Sequence, residues 1–183
     1  MDHARRSYIT FLCDDDAVHP RLLSIVDDVL ARTDADVVSW RMCGYCYDDM
    51  PDAAQRRRFR FGAHTDRLFG FDCDDVIDAA FDYRISHNET VPRMLNCMVS
   101  RRLVERAERD RTPLFRPMAP DYSTMLAVML HADRAVMLDA PLSVFGQSAA
   151  SVGASGMYRG ETAQRFINEL LEQEPDLHLP PKL

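Results

Sequence analysis

The spacing of apolar and polar positions predicts strands and amphipathic helices along the chain. Residues 7–13 form an apolar run typical of a buried strand, and residues 37–43 predict a second strand. Between them, Pro20 suits the first turn of a helix. The apolar positions that follow have helical spacing and make one face, Leu22, Ile25, Val26, Val29 and Leu30. This order predicts a βαβ unit of an α/β fold, in which ligands gather at the carboxyl ends of the strands.

The rest of the chain continues the mixture of strands and helices. Residues 58–61 alternate like a half-exposed strand, and two short strands are predicted on either side of 139–141. Residues 148–160, rich in Ser, Gly and Ala, predict a mobile loop. Helices are predicted over 74–81, 101–109 and 162–172, and after Asp121. We expect one main domain over 1–160, followed by a C-terminal helix and a frayed tail over 161–183.

Composition narrows the class of protein. The 183 residues are 46% hydrophobic and carry a net charge of −7, which suits a globular core and argues against a nucleic-acid-binding surface. The sequence has no membrane-length apolar stretch, and its N-terminal apolar run is too short for a signal peptide. Five scattered cysteines favour a reducing cytoplasm over a disulfide framework.

The acidic triplet Asp14-Asp15-Asp16 directly follows the first predicted strand. Adjacent carboxylates repel one another, and a hard cation such as Mg²⁺ or Mn²⁺ relieves that repulsion. Because Mg²⁺ is usually shared between carboxylates and phosphate oxygens, the triplet suggests a metal–phosphate enzyme. The alternative is an acidic turn in which one Asp caps the next helix. The triplet alone leaves both open.

Three other features have a functional and a structural interpretation. Asp121, before a predicted helix, is either a helix cap or a general base. Cys43 and Cys46 form a CxxC without a second ligand pair, so we interpret them as small core residues rather than a zinc site. The arginine-rich run 56–60 predicts a solvated strand face, although one of its arginines could approach a diphosphate or an anionic acceptor.

Together these segments resemble the family-2 glycosyltransferases of the GT-A fold. Residues 6–20 are similar to that family's strand, acidic "DXD" motif and following proline, and 92–102 to the segment before the acceptor site. Residues 119–122 resemble the "PD" element that carries the catalytic base, and 141–153 a later Gly/Ser stretch. The resemblance implies a partial GT-A, Rossmann-like mixed sheet with flanking helices.

The resemblance also implies an activity and a set of site residues. The activity is inverting, metal-assisted transfer of a sugar from a nucleoside diphosphate sugar to a hydroxyl acceptor. Asp121 would be the base and Asp15 the ligand of Mg²⁺ or Mn²⁺. The donor would be bound by Asp14, Asp15 and Asp16, with Asp14 at the ribose. Asn96 and Tyr122 would contact a saccharide or lipid-linked acceptor, and 148–156 could close over the donor.

Two departures from the family pattern matter. Cys13 stands where many members have the first Asp of the motif, and a thiol is a poor ligand for a hard cation. Only seven residues precede Tyr8 in the first strand, whereas the family places its nucleotide-binding strands before this motif. We therefore expect the N-terminal strands to be missing and a partner chain to cover the exposed sheet edge. The expected location is the cytoplasm, at the inner face of the membrane.

Two alternative functions remain. The chain could be a non-catalytic truncated remnant or a partner-binding module. A weaker alternative is a haloacid-dehalogenase-like phosphatase, because the strand and Asp14-x-Asp16 resemble that family's nucleophile motif. That chemistry needs a later lysine beside the phospho-aspartate, and the one lysine of the chain is Lys182 in the tail.

Overall fold

The computed structural model describes residues 6–82, 91–116, 120–157 and 160–173. The described strands are β1 (Tyr8–Thr10), β2 (Ala17–Val18), β3 (Val37–Cys46), β4 (Arg58–Arg60), β5 (Leu68–Phe71), β6 (Cys97–Ser100) and β7 (Ala135–Gln147). The described helices are α1 (Leu22–Thr33), α2 (Cys73–Phe81), α3 (Arg101–Arg109), α4 (Pro120–His131), α5 (Val152–Met157) and α6 (Glu161–Gln173). Short 3₁₀ turns lie at Ala53–Gln55 and Met94–Asn96.

The strands form one sheet in the order β1-β6-β3-β7-β2, with β4 paired to β3 and β5 paired to β7. Strands β1 and β3 both run antiparallel to β6, so they are parallel to each other and α1 is the crossover between them. The predicted βαβ unit is therefore present, with β6 inserted between its two strands. The mixed α/β class is confirmed. Strand β1 lies at one end of the sheet, and the partner chain predicted to cover it stays a prediction.

The two faces of the sheet carry separate apolar cores because neighbouring strand residues point to opposite faces. Val38 and Met98 pack on α1, together with Trp40. Val37 and Val99 belong to the other core, with buried residues of α3 and α4. The helices thus cover both faces, as the doubly covered strands of an α/β fold require.

Helix α1 confirms the predicted apolar face. Leu22, Val26 and Val29 are buried, which contributes about 1.5–3 kcal/mol for each side chain. The helix ends at Asp34, whose left-handed backbone (φ 46°) directs its N–H to the carbonyl of Leu30.

Strand β7 corrects the prediction of two short strands separated by Asp139-Ala140-Pro141. The strand runs without a break from Ala135 to Gln147. A charged residue fits inside it because the Asp139 carboxylate accepts hydrogen bonds from Arg41 Nε (2.7 Å) and from the Thr65 backbone N–H (2.9 Å) and hydroxyl (2.7 Å). Those partners are distant in sequence, so local patterning gave no sign of them.

The chain divides into two compact units, the second of which contains residues 45–59, 146–157 and 160–173 of the described chain. In that unit the predicted mobile loop 148–160 contains helix α5, which packs against α6. The buried Ser155 hydroxyl accepts a hydrogen bond from the N–H of Ala163 (3.0 Å), and a Cβ at Gly160 would lie 2.5 Å from it. The predicted domain division at residue 160 stays a prediction.

Smaller differences from the sequence expectations involve exposure and length. The first strand is shorter than 7–13, and all three residues of β4 are exposed rather than alternating. Helix α3 has a buried face as well as a solvated one. The predicted tail beyond Pro175 lies outside the described residues. Among the helices that the structure describes, none is long and apolar enough to cross a bilayer.

Candidate functional site

The acidic triplet lies in a tight turn after β1. The N–H of Asp16 donates to the carbonyl of Cys13 (3.3 Å), and the Asp16 carboxylate accepts from the Cys13 N–H (3.3 Å). Asp16 therefore helps to hold the turn, while Asp14 and Asp15 are exposed at its tip. The alternative interpretation, in which one Asp of the triplet caps the next helix, is wrong. The N-cap position of α1 is Arg21, and no described side chain makes a capping hydrogen bond there.

Asp121 lies in the first turn of α4 and is half-buried. Since the helix begins at Pro120, Asp121 is inside the helix rather than at its cap position. Burial raises the pKa of the Asp121 carboxyl, and the nearby positive charge of Arg93 opposes that rise. An Asp with a raised pKa is a stronger base once ionised than an ordinary exposed one.

The structure brings Asp121 close to the triplet turn. Burial raises the pKa of the Cys13 thiol, and the negative charges of the triplet and of Asp121 raise it further. The Cys97 thiol, buried at the start of β6, has its pKa raised to about 12 by burial and then by the charge of Asp121. The Thr10 hydroxyl, just before the turn, donates to the carbonyl of Cys97 (2.8 Å). The two carboxylate segments therefore share one neighbourhood.

Packing between the residues before the triplet and the segment before α4 supports the same arrangement. The Phe11 and Phe115 rings meet edge to face with centroids 4.9 Å apart. Residues 114–116 are fixed to α4, because the N–H of Arg116 donates to the Ser123 hydroxyl (2.9 Å) and the Thr124 hydroxyl donates to the carbonyl of Leu114 (2.9 Å). These contacts hold the start of α4 beside the residues that lead into the triplet.

The structure corrects the role predicted for Asn96. Its side chain is wholly buried, with the amide donating to the backbone carbonyls of Trp40 (2.9 Å) and Val91 (3.1 Å). Its oxygen accepts from the N–H of Arg93 (2.8 Å). Asn96 is thus a structural anchor for three backbone groups and not an acceptor contact. Tyr122 is 57% exposed on α4 beside Asp121, and its predicted acceptor contact stays a prediction.

The described side chains could supply only part of the coordination shell of a divalent cation. Among the described residues, no three His, Cys, Asp or Glu side chains converge on one point, so the protein does not form a closed metal cage there. The exposed carboxylates of Asp14 and Asp15 offer oxygen ligands of the kind that Mg²⁺ and Mn²⁺ prefer. Such a cation would complete its shell with phosphate oxygens and water.

The remaining candidates have structural explanations. Cys43 and Cys46 are buried, and the described cysteines form no disulfide. In the arginine run, Arg56 donates to the carbonyl of Met50 (2.6 Å) and Arg57 pairs with Asp48 (3.0 Å). Arg93, which sequence reasoning did not select, is the arginine whose charge acts on Asp121. Nothing in its local sequence distinguishes it, because its position depends on the distant partners of Asn96.

Comparisons with known proteins identify the fold. No known family and no curated protein matches the sequence. The crystal structure of S. aureus TarS 1-349 in complex with UDP-GlcNAc matches with a TM-score of 0.52 and 12% identity, covering 93% of this chain and 49% of that one. The chain has a glycosyltransferase-like fold. It spans about half the length of that TarS 1-349 chain. The crystal structure of S. aureus TarS 1-349 in complex with UDP gives a TM-score of 0.49 at 11% identity over 96% of this chain and 49% of that one.

Proposed function

We propose that this chain carries the donor and base site of a glycosyltransferase that uses a nucleoside diphosphate sugar. The observation that carries the proposal is that the charges of Asp121 and of the triplet act on the same Cys13 thiol, so a carboxyl of raised pKa shares a neighbourhood with the triplet turn. The fold shared with TarS, which was crystallised with UDP-GlcNAc, supports the same class of donor.

The proposed reaction is a single displacement at the anomeric carbon. Asp121 takes the proton of the acceptor hydroxyl as the new bond from the acceptor oxygen to the sugar forms. The bond from the sugar to the diphosphate breaks, and the nucleoside diphosphate leaves with the electron pair. Because attack and departure occur on opposite sides of the carbon, the configuration inverts, through the oxocarbenium-like charge pattern of glycosyl transfer.

The triplet would bind the donor's diphosphate. Asp15 would hold Mg²⁺ or Mn²⁺, and that cation would neutralise the charge on the leaving diphosphate. Asp14 would reach the ribose, and Asp16 keeps the turn closed through the Cys13 N–H. Tyr122, exposed beside the base, would contact the saccharide or lipid-linked acceptor. Cytoplasmic location stays a prediction.

Turnover of a panel of nucleotide sugars with Mn²⁺ tests the proposal. Release of nucleoside diphosphate is measured for the wild type, Asp121→Asn and Asp15→Ala. Loss of the base lowers the rate by about 10²–10⁴-fold. Asp15→Ala raises the Mn²⁺ concentration needed for half-maximal rate. Asp28→Asn, an exposed position on α1, is the matched control and retains full rate.

Two results would contradict the proposal. One is a wild type that neither binds nor turns over any nucleotide sugar, which would favour the non-catalytic alternative. The other is Asp121→Asn with wild-type turnover, which would remove the base from the mechanism.

A further inference from the structure

Arg93 has a buried donor without an acceptor. Among the described residues, its Nε finds no hydrogen-bond partner although the atom is shielded from solvent. A buried donor that has lost its water without gaining an acceptor destabilises the fold, so this geometry needs an explanation.

A second arginine shows what a structural role looks like in this chain. Arg106 also has a buried Nε without a partner, but its terminal nitrogens donate to Asp133 (2.6 Å), Asp36 (3.0 Å) and the carbonyl of His131 (2.6 Å). Protein oxygens therefore hold the Arg106 guanidinium through its two terminal nitrogens. Arg93 instead lies near Asp121.

The backbone of Arg93 is rigidly placed. Its N–H donates to the Asn96 side chain, which also binds the carbonyls of Trp40 and Val91. The 3₁₀ turn that begins after Arg93 packs against α4, the helix that carries Asp121. The Arg93 side chain therefore starts from a fixed backbone position beside the helix that carries the candidate base, which reduces the ordering that ligand binding requires.

An anionic ligand needs positive charge at this site. Asp14, Asp15 and Asp121 would repel a phosphate group unless cations compensate for them. A divalent cation at the triplet would offset part of that charge, and a nearby guanidinium would offset more while donating hydrogen bonds in a planar fork suited to phosphate oxygens.

We propose that Arg93 binds a phosphoryl group in this site through its guanidinium. This inference rests on the proposed function for its setting, and the phosphoryl group belongs either to the donor diphosphate or to a phosphorylated acceptor. Both sources present the same oxygen chemistry to the arginine, so the experiment separates them.

Calorimetric titration with UDP and, separately, with glycerol 3-phosphate, both at fixed Mn²⁺, tests the proposal. The variants are Arg93→Gln, Arg93→Lys and the exposed control Arg109→Gln, which removes one charge from α3. A circular dichroism melt checks that each variant folds. Arg93→Gln weakens binding of one probe by about 10- to 100-fold, and Arg93→Lys, which keeps the charge but loses the fork, weakens it less. Arg109→Gln leaves both affinities unchanged.

The two probes show which molecule supplies the phosphoryl group. Weaker UDP binding supports the donor diphosphate, and weaker glycerol 3-phosphate binding alone supports a phosphorylated acceptor. Unchanged affinity for both probes, with a shifted pH profile of turnover, would overturn the proposal and make Arg93 a positioning residue for Asp121. A wild type that binds neither probe would also overturn it.

The outcomes also keep this proposal distinct from the proposed function. Arg93-dependent phosphate binding without any sugar transfer would refute the glycosyltransferase while supporting the phosphate site. Sugar transfer with no effect of Arg93→Gln on either affinity would refute the phosphate site alone.

Discussion

Asp36 and Asp121 are the same residue type in opposite environments. The Asp36 side chain, 4% exposed, accepts hydrogen bonds from Ser100 Oγ (2.8 Å), Arg106 Nη2 (3.0 Å) and the Asp133 N–H (3.1 Å). Burial acts to raise the pKa of Asp36, but these hydrogen bonds and the Arg106 charge outweigh it, so the pKa lies below its usual value. No hydrogen bond from the described residues offsets the burial of Asp121, and its pKa is raised.

The difference distinguishes a structural carboxylate from a candidate catalytic one. The hydrogen bonds that Asp36 accepts stabilise its ionised form and so lower its affinity for a proton. Asp121 keeps its proton affinity because its surroundings withhold those donors. A site for proton transfer is thus recognised by what the fold leaves unsatisfied.

The largest loss of stability is expected from breaking the group of hydrogen bonds around Asp36. Asp36→Asn lowers the free energy of unfolding by about 3–5 kcal/mol, because Arg106 is left without its buried partner. Since the folded pKa of Asp36 is depressed, its contribution is present above the unfolded pKa of about 3.9 and lost as pH falls through the folded pKa. Urea denaturation at pH 7 and pH 3 measures both.

Asp133→Asn is the control for that variant. Its side chain is 79% exposed, although it also pairs with Arg106 (2.6 Å), so the expected loss is about 0–1 kcal/mol. Equal losses for the two variants would show that the depth of burial does not distinguish them.

A smaller effect is expected at Asn96. Asn96→Ala lowers the free energy of unfolding by about 2 kcal/mol, because three backbone groups lose partners. The same variant also weakens phosphate binding through Arg93. An unchanged urea midpoint together with a raised KM for acceptor would instead restore the acceptor contact that the sequence predicted.

The smallest expected effect is a gain in stability at Asp121. Because the folded pKa is raised, the favourable contribution of the protonated group is complete below the unfolded pKa and lost as pH rises through the folded pKa. Asp121→Asn removes the ionisation cost and raises the Tm at pH 7 by roughly 2 °C. The gain disappears near pH 3. A lower Tm at pH 7 would mean that the carboxylate stabilises the fold.

The sequence predicted these features unequally, for physical reasons. The face of α1 followed from periodicity, since Leu22, Val26 and Val29 need only helical geometry to share a side. The insertion of β6 between β1 and β3 depends on long-range pairing that no local pattern encodes. Local pattern also predicted a helix directly after Asp121, which the structure places inside the first turn of α4, but gave no sign of its neighbourhood with Cys13 and Cys97.

Polar anchors were the main source of error at the site. Asn96 is 56 residues from Trp40, whose carbonyl it binds, so its structural use was invisible from its neighbours along the chain. Arg93 was missed for the same reason, because the amide of Asn96 fixes its backbone.

The central claim is that Asp121 is poised to accept a proton whereas Asp36 is not. Carboxyl ¹³C titration by NMR, with assignments from the two Asp→Asn variants, tests it directly. We expect Asp121 to titrate above the ordinary Asp range and Asp36 below it. An Asp121 pKa at or below that of Asp36 would contradict the account.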